Sequence, residues 1–475
     1  MSIERQAISG LKWTGAARFV SQTVSWVVTL IVVRLLAPAD YGVMAVSAVI
    51  ISIFSTAAEL GLGASLVQAP TLDRAALARV AGLAILLNVG LGAVVALAAP
   101  LAGLFFNEAI LPRVIQVSSL HFVLAAVSIV PQALAYRDMN FRWSASIELV
   151  AGLASNVVTL LLALHGAGVW SLVVGSLAGA AVRSALFMRG QNVRPVFRLG
   201  GVGRHVTYGG ALATSRLIGQ VINQSDVLIA GRFLTPSAVG LYSVSLHLAT
   251  LPMQRVMSIV NQVVFPTVAR LQDDRPRLRE RLLSGLRLLG FVSVPVMWGI
   301  SSIAPELVEL ALGPTWQEAA YPLRVVSLLI PLRMVSGIIS TTIIGVGALD
   351  LWNTAINLLV LPICFLIGVQ WGVNGLATAW AIALLVVLSM TIPRNCAKLE
   401  VPVLEVARTL RDPVVVGGAM YAMVTVGRML LNGVANGYKL PALIVIGAAV
   451  YVPGLSLLNR TMWTDVQRLY TAFRS

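Results

Sequence analysis

The chain has 475 residues, 58% of them hydrophobic and 11% charged, with a mean hydropathy of +0.87. That composition leaves too little polar surface to clothe a soluble globule, so the chain reads as an integral membrane protein. Its net charge of +15 is dispersed over many short segments rather than gathered in one domain, which argues against a nucleic-acid footprint.

A hydrocarbon core of about 30 Å takes roughly 20 apolar residues per helix. The basic start MSIERQAISGLKW leads into an apolar run with no small-residue cleavage site, so the first span is expected to stay attached. Fourteen spans are predicted, at about 14–36, 42–66, 80–104, 113–132, 145–164, 169–187, 207–231, 239–264, 285–304, 323–344, 353–370, 375–392, 413–431 and 441–457. If residues 1–13 are cytoplasmic, the loops and termini on that side carry 22 of the 34 Lys and Arg, whereas the opposite loops carry Arg232 and Lys439 alone. The positive-inside bias then puts both termini in the cytoplasm.

Enzyme chemistry finds little support. No HExxH, Walker loop or GxSxG elbow stands at a credible place, and Cys364 and Cys396 form neither a disulfide framework nor a metal site. The longest outward loop, 305–322, holds Glu306, Glu309 and Glu318, which read as a solvated, helix-capping rim rather than a catalytic set. No catalytic residue, metal or cofactor is expected.

The chain repeats itself. RLLAPADYGVMAVS from Arg34 returns as RFLTPSAVGLYSVS from Arg232, identical at six of fourteen positions at an offset of 198. The same offset pairs Arg18 with Arg216, Gln22 with Gln220 and Ile31 with Ile229. LPRVIQVSS with Arg113 resembles YPLRVVSLL with Arg324, and GVWSL from Gly168 resembles GVNGL from Gly372. Spans 1–6 therefore match spans 7–12. Because six is even, the copies share one orientation and are related by an axis along the membrane normal, which favours a cavity at their interface. The expected domains are a first lobe at 1–190, a second at 191–400, and two additional helices with a cytoplasmic tail at 401–475.

The first hairpin, the YRDMNFRW loop, and above all SRLIGQVINQSDVLIAGRFLTPSAVGLYSVSLHLATLPMQRVMSIVNQVVFPTVARLQDD resemble the polysaccharide-transporter branch of the multidrug/oligosaccharidyl-lipid/polysaccharide exporter superfamily, nearest to Wzx-type oligosaccharide flippases. The resemblance covers the whole chain. It implies an all-α polytopic membrane protein with two six-helix lobes around a central cavity and two C-terminal helices. It also implies translocation of an undecaprenyl-diphosphate-linked oligosaccharide to the periplasmic leaflet of a bacterial inner membrane, for lipopolysaccharide, capsule or exopolysaccharide synthesis. Membrane lipid, polysaccharide polymerase and chain-length machinery are the partners it suggests.

A lipid-linked diphosphate crossing a low-dielectric passage needs cationic partners, and arginine stays charged and grips two phosphate oxygens at once. Arg216, Arg255 and Arg333 lie deep in spans, and Arg18 is the repeat mate of Arg216; these four are the candidate diphosphate contacts. The competing reading for each is a buried ion pair or an interhelical hydrogen bond. Arg34, Arg113, Arg232, Arg287 and Arg324 sit near span ends and read as boundary anchors. Gln220, Asn223 and Gln22 are candidates for contacts with sugar hydroxyls. Asp226, Glu59 and His247 are candidates for proton or sodium coupling, Asp226 foremost because it shares a helical face with Gly219 and Asn223; a static ion pair is the alternative. Glu148 and His121 also fall inside spans. Trp13, Trp143, Trp170, Trp316, Trp352, Trp371 and Trp463 fit an interfacial belt, whereas Trp26 lies mid-span. The rival functions are a peptidoglycan-precursor flippase, a multidrug exporter of the same superfamily, which would want a more acidic cavity, and a membrane glycosyltransferase.

Overall fold

The computed structural model describes residues 25–59, 66, 73–138, 140–189, 195–197, 216–270, 274–346 and 351–458. Arg18 and Gln22 fall outside them, as do the side chains of Glu59 and Arg255. The regular structure of the described residues is helical throughout, and ten of the helices are long and apolar enough to cross a membrane. The protein is a multi-pass membrane protein.

Contacts divide the chain into two compact units, Met1–Gly240 and Leu241–Ser475. The first holds α1 (Ser25–Leu35), α2 (Pro38–Glu59), α3 (Arg74–Phe106), α4 (Leu111–Ser118), α5 (Leu120–Arg137), α6 (Phe141–Leu164), α7 (Val169–Arg189) and α8 (Ser225–Phe233), the last preceded by helical residues 216–223. The opening turn of α9 (Pro236–Arg270) belongs to the same unit. The second continues with α10 (Arg275–Ser302), α11 (Ala304–Ala311), α12 (Ala320–Gly345), α13 (Leu351–Gly368), α14 (Gly372–Lys398), α15 (Val403–Leu430) and α16 (Asn436–Leu458).

Local chemistry sets the helix ends. Asn140 caps α6 by accepting from Trp143 N at 3.3 Å, and Asp274 caps α10 by accepting from Arg277 N at 3.1 Å. The Asp40 carboxylate serves two helices, accepting from Ala37 N at 3.0 Å and from Val169 N at 2.9 Å, so it joins the start of α2 to the start of α7. Gly168, just before α7, has φ +57°, and its repeat mate Gly372, at the start of α14, has φ +70°. Both turns take the positive φ that glycine adopts without strain. Pro295, Pro331 and Pro362 lie inside α10, α12 and α13, where membrane helices tolerate the lost donor.

Small residues bring the helices together, as expected where lipid removes the hydrophobic drive between them. A Cβ on Gly175 would lie 1.8 Å from Thr159 Oγ1 and one on Gly179 2.8 Å from Ser155 Cβ, so α7 lies directly on α6. In the second unit a Cβ on Gly417 of α15 would lie 2.4 Å from Val294 Cγ1 of α10. Tyr451 of α16 donates to the Phe291 carbonyl at 3.2 Å. Gly375 of α14 faces the Gly368 carbonyl of α13, 2.3 Å from an added Cβ. That neighbour is backbone and cannot turn aside. Gly375→Val is therefore expected to destabilise the protein by about 1–3 kcal/mol, read as a lower unfolding midpoint in detergent; an unchanged midpoint would contradict the packing.

Candidate functional site

A polar stretch of the described residues runs from Arg216 to Asp226. Residues 216–223 are helical, the helix breaks at Gln224 (φ −113°, ψ 5°), and α8 begins at Ser225. The polar run NQSD explains why a break is tolerated there. Ser225 Oγ donates to the Ile222 carbonyl at 2.8 Å, and Asp226 Oδ1 accepts from Val227 N at 2.8 Å, so side chains satisfy backbone groups that the ladder releases. A discontinuous helix in a transporter-like fold is the type of element that places charge and free backbone groups at a binding site.

The break redistributes the predicted residues. Arg216 and Asn223 are exposed on the isolated chain, whereas Asp226 is buried at 6% exposure. The single face expected for Gly219, Asn223 and Asp226 is thus divided between surface and interior. Gln220 Nε2 donates to Ser52 Oγ of α2 at 3.1 Å, so this amide ties two helices together. His247 is exposed on α9.

In the second unit Arg333 sits half-buried, its guanidinium carbon 5.6 Å from the centroid of the Trp380 ring on α14. The anchors near span ends have defined settings. Arg232 lies over Phe105 at 5.5 Å and Phe233 at 6.0 Å, and Arg324 Nε donates to the Tyr421 hydroxyl at 2.9 Å. Glu148 pairs with Arg183 at 2.8 Å between α6 and α7, each side chain about four-tenths exposed. Among the described residues no group of three or more His, Cys, Asp or Glu could hold a metal ion.

Two readings of the 305–322 loop need correction. Glu306 is not a solvated rim residue: it is 4% exposed, and its Oε1 lies 3.1 Å from both Arg428 Nε of α15 and Lys439 Nζ of α16. Arg428 also donates to the Ser302 carbonyl. Trp316 is not an interfacial residue but is fully buried at 0% exposure, within a short 3-10 turn, Pro314–Ala319. A second clamp, the bidentate Arg279–Glu405 pair, joins α10 to the start of α15. Ionic contacts therefore hold α15 near both of its ends. The sequence pattern missed them because the partners are far apart along the chain, and the only hint was an Arg and a Lys flanking the turn between α15 and α16.

Comparison with known proteins agrees with this architecture. The model of a family described as "Polysaccharide biosynthesis protein" matches residues 31–321. The chain is 26% identical over 361 residues to the lipopolysaccharide biosynthesis protein WzxC of Escherichia coli strain K12, covering 74% of this chain and 72% of that one. It is 29% identical over 350 residues to the succinoglycan biosynthesis transport protein ExoT of Rhizobium meliloti, covering 72% and 70%. Among solved structures it is similar to lipid II flippase MurJ in an inward closed conformation, with a TM-score of 0.77 at 14% identity over 94% of this chain and 99% of that one. An inward-facing multidrug transporter of the MATE family gives a TM-score of 0.64 at 14% identity, covering 80% and 94%. The last two likenesses identify a MurJ- and MATE-like fold.

Proposed function

The chain belongs to the family described as "Polysaccharide biosynthesis protein", and on that premise we propose that it is a flippase for an undecaprenyl-diphosphate-linked oligosaccharide. The substrate moves from the cytoplasmic to the periplasmic leaflet of a bacterial inner membrane by alternating access, and both termini are cytoplasmic. Two six-helix lobes, at 1–190 and 191–400, carry the movement, and the helices of 401–475 accompany the second.

The observation that carries this reading is Arg333. It stands thirteen residues into α12 and twelve from its end, roughly 18–20 Å from either terminus. A guanidinium at that depth is costly unless it serves an anion or a polar passage. A diphosphate supplies the anion, and planar guanidinium groups fit its oxygens bidentately. Arg216, Arg255 and Arg18 complete the proposed cationic path, with Gln220, Asn223 and Gln22 for sugar hydroxyls. A carboxylate or imidazole among Asp226, Glu59 and His247 carries a proton or sodium ion against the movement. The diphosphate enters between the lobes, exchanges water for guanidinium contacts, and leaves when rocking opens the other side. The prenyl tail stays in lipid throughout.

The test is transport by the purified protein in proteoliposomes. A lipid-linked diphosphate oligosaccharide should become accessible on the opposite leaflet, and protein-free vesicles should show no such movement. Absence of movement with a well-folded protein, or incorporation of sugar into a lipid acceptor, would overturn the reading.

A further inference from the structure

Arg324 of α12 and Tyr421 of α15 meet inside the second unit. Arg324 Nε donates to the Tyr421 hydroxyl at 2.9 Å, and its guanidinium carbon lies 6.0 Å from the centroid of that ring. Both residues are half-buried. Among the described residues no carboxylate pairs with Arg324, and no acceptor meets its two Nη groups or the Tyr421 O–H. The pair therefore carries an unbalanced positive charge and uncommitted donors.

Its level in the helices matters. Ser301 donates to the Arg324 carbonyl at 2.8 Å and the neighbouring Ser302 carbonyl accepts from Arg428, so the Ala320 end of α12 and the Leu430 end of α15 lie on the same side of the unit. A boundary anchor would send its charge toward the nearer helix end. Arg324 stands four residues from Ala320, roughly 6 Å along α12, yet it bonds a residue nine from Leu430, roughly 13–14 Å along α15. A cation held at that level in a membrane span is costly without an anion.

The surroundings say which anion fits. Trp298 of α10 lies between the same two helices: its Nε1 donates to the Leu328 carbonyl at 2.9 Å, and a Cβ on Gly417 or Gly418 would lie 3.2 Å or 3.9 Å from its ring. The turn of α12 after Arg324 is thus level with the turn of α15 before Tyr421. Farther along the same direction Leu332 and Val414 are exposed, as is Leu328. The pair has donors at one end and aliphatic surface beyond them, which is the profile of a phospholipid.

Charge narrows the class. The Nη edge of a guanidinium takes two phosphate oxygens at once, and the phenol O–H adds a further donor. One cation balances the single charge of a phosphodiester, whereas a diphosphate carries more. A zwitterionic headgroup brings its own cation and leaves Arg324 unbalanced. We infer that Arg324 and Tyr421 hold the phosphate of an anionic phospholipid of the phosphatidylglycerol type, with its chains along Leu328, Leu332 and Val414. The site is independent of what the protein transports.

The test counts the first lipid bound to the purified protein in detergent, by native mass spectrometry during titration. Phosphatidylglycerol should bind the parent about tenfold or more tightly than phosphatidylcholine. Arg324→Gln should weaken phosphatidylglycerol binding by about tenfold or more, and Tyr421→Phe by about three- to tenfold. Arg394→Gln, which removes a cation lying 5.1 Å from the Trp352 ring, should leave it unchanged. Parent-like affinity in folded Arg324→Gln would overturn the site; where that variant does not fold, Tyr421→Phe decides in the same way. Failure of both to fold while Arg394→Gln folds would make the pair a structural joint and also overturn it. Tighter binding of a prenyl diphosphate, lost in the same variants, would assign the pair to a carrier lipid instead. Inorganic phosphate binding as tightly as phosphatidylglycerol would remove the lipid from the proposal.

Discussion

Arg216→Ala is expected to reduce transport of a lipid-linked diphosphate about ten- to a hundredfold while leaving the unfolding midpoint unchanged. The size follows from a hydrogen bond to a charged group, about 1.5–3 kcal/mol, at about 1.4 kcal/mol for each factor of ten. The absence of a stability effect follows from position. Arg216 is exposed, so its removal opens no cavity, and surface substitutions of that kind stay within about 0.5 kcal/mol. Arg216→Lys should recover part of the loss, because charge persists while the bidentate fork does not. Arg333→Ala should also slow transport, but with a stability loss, since its guanidinium packs over Trp380. Proteoliposome flipping and detergent unfolding of the same preparations separate the two. Parent-level transport by folded Arg216→Ala would remove Arg216 from the substrate path.

Much of this was legible in the sequence because its signals are local or periodic. Span-length apolar runs declare membrane helices, and a constant offset declares the duplication. In space, Gly168 and Gly372, 204 residues apart, both take a positive φ, and an added Cβ on Gly42 would lie 3.1 Å from Gly240 N, 198 residues on. Beyond the ionic contacts of α15, three features escaped because they depend on tertiary neighbours. The run from Asn223 to Asp226 has helical spacing, so it read as one face; nothing in periodicity says that Ser225 and Asp226 bind backbone groups and end the helix. Trp316 stands near a span end, where belt residues are common, and only the packing of its short 3-10 turn encloses it. Trp380 lay in an apolar run with nothing to mark it as the surface on which Arg333 rests.

Glu306→Ala is expected to be the most destabilising single change in the second unit, costing about 3–5 kcal/mol, because it leaves two buried cations with no carboxylate between them. Arg428 and Lys439 are both largely buried and both face Glu306 Oε1 at 3.1 Å. The cluster already holds two positive charges for one negative, and Glu306 Oε2 is buried without a hydrogen-bond partner among the described residues. That imbalance gives an asymmetric expectation. Lys439→Met removes the surplus cation and leaves the Arg428–Glu306 pair intact, so it should cost far less than Glu306→Ala. Added to Glu306→Ala, Lys439→Met should restore stability, since one stranded charge is then gone. Unfolding of the parent, both single variants and the double variant in detergent completes the cycle. A strict sum of the two single effects would mean that the charges do not meet. The restoration predicted here would mean that Glu306 fastens both C-terminal helices to α11, so that α15 and α16 travel with the unit that carries Arg333.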